Sequence, residues 1–224
     1  GLSLAAFIMV IPLLFSFVTA FKSPQDFASH SPFALPSPPS LASFQAILTG
    51  RVNFGDAIIT TLLMVVVMVV GQLVSSVLAA YAFARIEFPG REVIFWLFLG
   101  TMMIPASVLV IPLYLMMAKM GLNNTFWGIV LPFVFASPYA VFLLRQSFRQ
   151  IPQEIIDAAT MDGAGQMRIL FSIVVPVSKP IISTLVLITV VSQWNSFMWP
   201  RIIAATRPRV LTRSEERRVG KECT

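Results

Sequence analysis

The sequence predicts an all-α, polytopic transmembrane bundle, and three observations carry that prediction. Hydrophobic residues make up 57% of the 224 positions, charged residues only 12%, and the mean hydropathy is +0.83. Soluble globular domains carry about 25% charged residues. Several apolar runs approach the ~20 residues that a helix needs to cross the hydrocarbon core. Within hydrocarbon only helices or closed barrels satisfy the backbone, and these runs lack the period-two alternation of barrel strands.

The elements follow in order. Leu2 to Phe21 is the first expected span, with Pro12 inside it and Lys22 closing it. The chain opens on Gly1, without a basic leader or an A-x-A-like site, so a truncated start is expected rather than a cleavable signal peptide. Residues 22–56 read as a polar connector, kept extended and non-helical by Pro32, Pro36, Pro38 and Pro39. Residues 57–84 form the second span and residues 93–117 the third, broken by Pro105 and Pro112. Residues 126–144 form the fourth, with Pro132 and Pro138 as kinks, and residues 181–199 the fifth. A polar loop, residues 145–180, separates the last two spans.

Charge orients the bundle. Arg85, Arg91, Arg145, Arg149, Arg168 and Lys179 fall on one side, against Lys22, Arg51 and Lys119 on the other. The positive-inside rule then puts the 145–180 loop in the cytoplasm and the Pro-rich connector outside. The formal charge of +6 is unevenly placed: residues 1–200 hold nine basic and seven acidic residues, the last 24 seven and three. A tail-borne basicity of this kind is no nucleic-acid footprint. Cys223 is the sole cysteine, which excludes a disulfide or cysteine-metal framework, and His30 reads as a solvated loop residue. Arg213 to Cys223 resembles the conceptual translation of a sequencing adapter, so residues 213–223 are expected to be a non-native tail.

Within the polar loop, Pro152 suits a first helical position and Glu154 a helix N-terminus. Ile155, Ala158, Ala159 and Asp162 follow at spacings of three and four and share a face. Gly163 supplies the turn at the helix end, where a larger side chain is expected to crowd both the turn and a docking surface. Ile169, Leu170 and Ile173 form an apolar stripe that Pro176 stops. An amphipathic helix on the membrane surface is the plainer reading of this periodicity, but such helices carry Lys or Arg on their polar face. This one offers Glu154, Asp157 and Asp162, which favours a protein partner over anionic lipid. No G-x-x-x-x-G-K-[ST] phosphate-binding loop occurs in the chain.

Asp157-Ala158-Ala159, three residues, Gly163, nine residues, then Ile173-x-Val175-Pro176 resembles the EAA motif of ABC importer permeases. Asp157 stands for the usual Glu and Val175 for the usual Leu. Trp194-Asn195-x-Phe197-x-Trp199-Pro200 resembles the signature of the carbohydrate-uptake branch, which includes the maltose-type and glycerol-3-phosphate-type permeases. The resemblance implies a sixth span missing here. It also implies a cytoplasmic ABC ATPase seated on the EAA helix, a second permease subunit and an extracytoplasmic solute-binding protein. ATP and Mg would be used by the ATPase, with no cofactor bound by this chain. The coupling residues would be Glu154, Asp157, Ala158, Ala159, Asp162 and Gly163.

Gln193, Trp194 and Asn195 combine amides with an aromatic face, the chemistry that holds sugar hydroxyls and rings, and are the candidate substrate path. The competing reading makes Trp194 and Trp199 an interfacial belt in contact with membrane lipid, with Asn195 bonded to a neighbouring helix. An ion-coupled secondary transporter is disfavoured because the expected spans hold no ionisable residue away from their ends. A non-transporting scaffold or a nonfunctional fragment is the remaining alternative.

Overall fold

Proline placement decides where these apolar runs stay straight. The computed structural model describes residues 2–29, 34–49, 54–196 and 198–204, and all regular elements among them are helical. His30, Pro32, Arg51, Phe197, Cys223 and the 213–223 segment lie outside the described residues. The chain divides into two units, residues 1–58 and 59–224.

The first unit holds α1 (Leu2–Ala20), α2 (Pro24–Ser29), α3 (Ala42–Thr49) and the start of α4 (Phe54–Arg85). The connector is therefore not extended throughout. Pro24 opens α2 because a first helical position needs no backbone N–H. Pro36, Pro38 and Pro39 do keep their own stretch out of helix. Phe21 packs on Phe17 and Phe44, Ser40 N–H donates to the Phe21 carbonyl at 2.8 Å, and the Ser43 hydroxyl donates to the Lys22 carbonyl at 3.2 Å.

In the second unit α4 contains no proline and runs unbroken for 32 residues. Its exposed side chains Ile59, Leu62, Leu63, Val66, Val70, Val74 and Leu78 recur every three or four positions. The opposite face, with Met64, Val65, Met68, Val77, Ala80 and Tyr81, is buried. An apolar face left outward is costly in water and free in lipid. α4 is the helix among the described residues long and apolar enough to cross a membrane by itself.

The other apolar helices of this unit form bent pairs. α5 (Arg91–Gly100) continues through the tight turn Thr101–Met103, and α6 (Ala106–Lys119) leaves it at 101°. The cause is Pro105: the residue before a proline is driven out of the helical region, and Ile104 is extended at φ −83°, ψ 119°. α7 (Phe126–Val130), with the turn Leu131–Phe133, meets α8 (Pro138–Arg149) at 40°. After α9 (Gln153–Met161), α10 (Gln166–Ile169) passes through a π-turn, Leu170–Val174, into α11 (Val175–Val177). α12 (Lys179–Trp194) follows at 80°, and α13 (Met198–Ile203) ends the described chain. Pro176 thus does not stop its segment; it sits in α11, and the break falls at Ser178. Among the described residues, one helix is long and apolar enough to cross a membrane, or up to four spans if each bent pair is one; bends fall at Pro105 and ahead of Pro138, where breaks were expected.

Two cores organise the second unit. The first gathers Val77, Tyr81, Phe95, Val141, Leu144, Phe148, Ile156, Ile169, Leu170 and Leu185 around the polar loop. The second gathers Met64, Met68, Met117, Ile129, Val130, Trp199 and Ile203. Trp199 is accordingly a core residue and not part of an interfacial belt: it is buried and its indole N–H donates to the Gly128 carbonyl at 3.2 Å.

Candidate functional site: the helix between two bends

α9 is built to be short and sharply ended. Pro152 lies just outside it, as the capping residue at φ −55°, ψ 138°, rather than at the first helical position. Glu154 occupies the first turn, where a carboxylate meets the positive helix end. At the other end Ala164 N–H donates to the Ala159 carbonyl at 2.9 Å and Gly163 N–H to the Thr160 carbonyl at 3.0 Å. This crossed pair is a Schellman closure, and it requires the left-handed conformation that Gly163 adopts at φ +81°. Among the described residues, apart from its chain neighbours, nothing lies within 4 Å of a Cβ built at Gly163, so the expected crowding of the turn is not seen there.

The helix has two faces of different use. Ile156 is buried in the first core, and Ala159 and Ala164 pack against that core. Ala159 therefore belongs to the inner face, and the two motif alanines do not share one surface. Glu154, Asp157, Ala158, Asp162 and Gly163 are exposed. Beside them stand Ile155, 44% exposed, and Met161, 89% exposed. Met161 is absent from the residues that the sequence singles out. Its signal is a large apolar residue beside Asp162-Gly163, outside the buried periodicity.

Two of the basic residues that the charge count grouped, Arg145 and Arg85, reach the first core and the chain ahead of α9. Arg145 is buried; it donates to the Phe83 carbonyl at 3.1 Å, pairs with Glu92, and lies 3.8 Å above the Phe95 ring. Arg85 donates to the Gln153 side-chain oxygen at 2.6 Å and to the carbonyls of Phe148, at 2.6 Å, and Ile151. The Tyr81 hydroxyl donates to Gln166 Oε1 at 2.7 Å.

The candidate substrate residues lie elsewhere, at the C-terminal end of α12. Gln193 and Trp194 are half-buried, with Trp194 packed against the second core. Asn195 is exposed, and its amide donates to the Val191 carbonyl of its own helix at 2.8 Å, not to a neighbouring helix. The structure does not bring these three residues near α9 into one site. Among the described residues there is no cluster of His, Cys, Asp or Glu able to hold a metal ion.

Comparison with known proteins bears on this arrangement. The model of the family "Binding-protein-dependent transport system inner membrane component" matches residues 71–214, well over half of the chain. The sn-glycerol-3-phosphate transport system permease protein UgpE of Yersinia pestis bv. Antiqua (strain Antiqua) is 32% identical over 209 residues, covering 91% of this chain and 74% of the relative. The arabinooligosaccharides transport system permease protein AraQ of Halalkalibacterium halodurans is 32% identical over 205 residues, covering 91% and 73%. The diacetylchitobiose uptake system permease protein NgcG of Streptomyces coelicolor is 31% identical over 194 residues, covering 86% and 64%. With an all-helical second unit built around an unbroken apolar helix, the chain belongs to the binding-protein-dependent transport system inner membrane components, transport permeases of the bacterial inner membrane rather than enzymes.

Proposed function

We propose that this chain is a permease subunit of an ATP-driven ABC importer for a carbohydrate or related polar solute, a sugar, a polyol or glycerol-3-phosphate. In this reading α9 is the element on which a cytoplasmic ATPase subunit pulls. A second permease subunit completes the pore, and an extracytoplasmic binding protein delivers the solute. The solute class is supported by the names of the relatives, which concern glycerol-3-phosphate, arabinooligosaccharides and diacetylchitobiose.

The observation that carries the coupling reading is the split face of α9. Its inner side is anchored by Ile156, while its outer side presents small, acidic and apolar groups together. A face of this kind is poor for anionic lipid headgroups because Glu154, Asp157 and Asp162 repel them. It suits a protein cleft: Ala158 lets another backbone approach, and Met161 offers an apolar side chain that fills irregular pockets. ATP chemistry belongs to the partner, since this chain carries no phosphate-binding loop.

Cross-linking tests the assignment. Ala158→Cys in the full-length gene, co-produced with its partner subunits, is expected to capture a nucleotide-hydrolysing subunit. Ala159→Cys, on the inner face, is expected to capture it weakly. Absence of any nucleotide-hydrolysing partner from position 158 would falsify the coupling role while leaving the family membership standing.

A further inference from the structure

We infer that Tyr81 and Arg85 form a two-point clamp that fixes the α9 loop to α4, and that they are positioning residues for coupling. The inference rests on the docking role of α9 proposed above. Tyr81 and Arg85 are one helical turn apart on α4, so both side chains leave the same face. Arg85 holds the chain immediately before α9. Its guanidinium donates to the Phe148 and Ile151 carbonyls, at and just past the C-terminal end of α8, and to the Gln153 side chain at the first residue of α9. Gln153 in turn donates to Asp157 at 2.9 Å, which carries the contact into the acidic face. Tyr81 holds the chain immediately after α9, at Gln166, the first residue of α10.

The clamp therefore brackets α9 on both sides and leaves its outer face open. Terminal carbonyls of a helix lack internal partners, and a cation is the group that satisfies them most strongly. A planar guanidinium reaches several acceptors at once, which a lysine ammonium on a flexible stem does less well. The element grasped matters as much as the grasp. α4 is 32 residues long without a break, a rod of about 48 Å at 1.5 Å per residue, whereas α5/α6, α7/α8 and α10–α12 each contain a bend. A displacement of α9 imposed on a bent pair is absorbed at the bend; imposed on α4 it travels the full length as a rigid-body tilt. The plainer reading treats these contacts as ordinary stabilisation of the loop. That reading makes the pair matter for folding and docking; the clamp makes them matter for transmitting motion once α9 is docked.

The experiment measures solute uptake per ATP hydrolysed in proteoliposomes holding the full-length permease with its partner subunits. Cross-linking from Ala158→Cys is measured in parallel. Arg85→Gln is expected to keep the cross-link and the ATP hydrolysis while lowering the ratio at least about tenfold, because a multiply bonded charged group is lost. Tyr81→Phe, which removes one hydroxyl and keeps the ring in its core, is expected to lower the ratio about threefold. Should Arg85→Gln fail to reach the membrane, Tyr81→Phe alone decides. A ratio within twofold of the parent in the variants that assemble, with the cross-link intact, overturns the clamp and spares the docking reading. Loss of the cross-link in the parent Ala158→Cys chain overturns the docking reading itself.

Discussion

Replacing Gly163 by asparagine, aspartate and valine separates backbone strain from docking at the end of α9. The glycine sits at φ +81°, where an L-residue is strained by about 1–2 kcal/mol, least for asparagine and aspartate and most for a β-branched residue. Among the described residues, no atom beyond the chain neighbours lies within 4 Å of an added Cβ, so no steric cost from them is added. If strain opened the Schellman closure completely, the bonds from Ala164 to Ala159 and from Gly163 to Thr160 would be lost, about 1 kcal/mol each. Even that sum is local, and the core that anchors Ile156 is untouched. Membrane insertion and detergent melting of all three variants should therefore resemble the parent. Uptake should not: aspartate should abolish it by adding a fourth carboxylate beside Glu154, Asp157 and Asp162, valine should lower it at least about tenfold through the distorted turn, and asparagine should retain most of it. Parent-level uptake with Gly163→Asp would contradict docking at this turn. Equal loss with asparagine and aspartate would assign the effect to side-chain volume and refute the charge argument.

Further expectations concern stability. Arg145→Ala removes a charged hydrogen bond to Phe83, a cation–π contact with Phe95 and the pair with half-exposed Glu92, and should cost about 3 kcal/mol, read as lower membrane abundance and melting temperature. Glu92→Gln should cost clearly less than Arg145→Ala, since ion pairs with an exposed partner contribute little. Similar losses in the two would overturn that ranking. Gly71→Ala would drive a methyl into Val134, and Gly128→Ala into the Leu122 carbonyl. Each should destabilise by about 1–3 kcal/mol through overpacking, and unchanged melting in detergent would show that α4 can move off Val134, and α7 off Leu122, at no cost.

Apolar run lengths and proline positions made the helices legible, because both act locally. Which prolines bend their run, and how sharply, was not legible. Pro105 bends its span by 101°, whereas Pro12 and Pro112 remain inside continuous helices. The difference lies in the residue ahead, since Ile104 is extended and the carbonyls freed there belong to a tight turn that the sequence does not announce. The short helix α9 was readable from Pro152, Glu154 and Gly163, which act within one turn of backbone. Which alanine faces inward was not readable, because neighbouring positions on a helix differ by about 100° and tertiary packing chose Ala159. Trp199 was misassigned for a related reason. Composition suggests an aromatic belt, while only the fold supplies the Gly128 carbonyl that its N–H requires. Tyr81 and Arg85 looked like ordinary residues at a span end, since their partners lie 63 to 85 positions away.

A lever needs a stiff arm, a fixed attachment and a surface for the hand, and these demands conflict in one sequence. Stiffness requires apolar helix without proline, which α4 satisfies over 32 residues. A cytoplasmic handle requires polar and small residues, which lipid would reject. The junction must therefore join an apolar rod to a polar knuckle. Arg85 and Tyr81 bridge the two with long side chains whose tips reach the knuckle, at Gln153, the Phe148 and Ile151 carbonyls, and Gln166. The bent pairs then have a complementary use: in the proposed coupling, helix pairs bent by 101°, 40° and 80° would let the bundle change shape around one rod that does not. Stiffening a bend is consequently expected to impair movement more than stability, whereas loosening the rod's attachment should waste ATP.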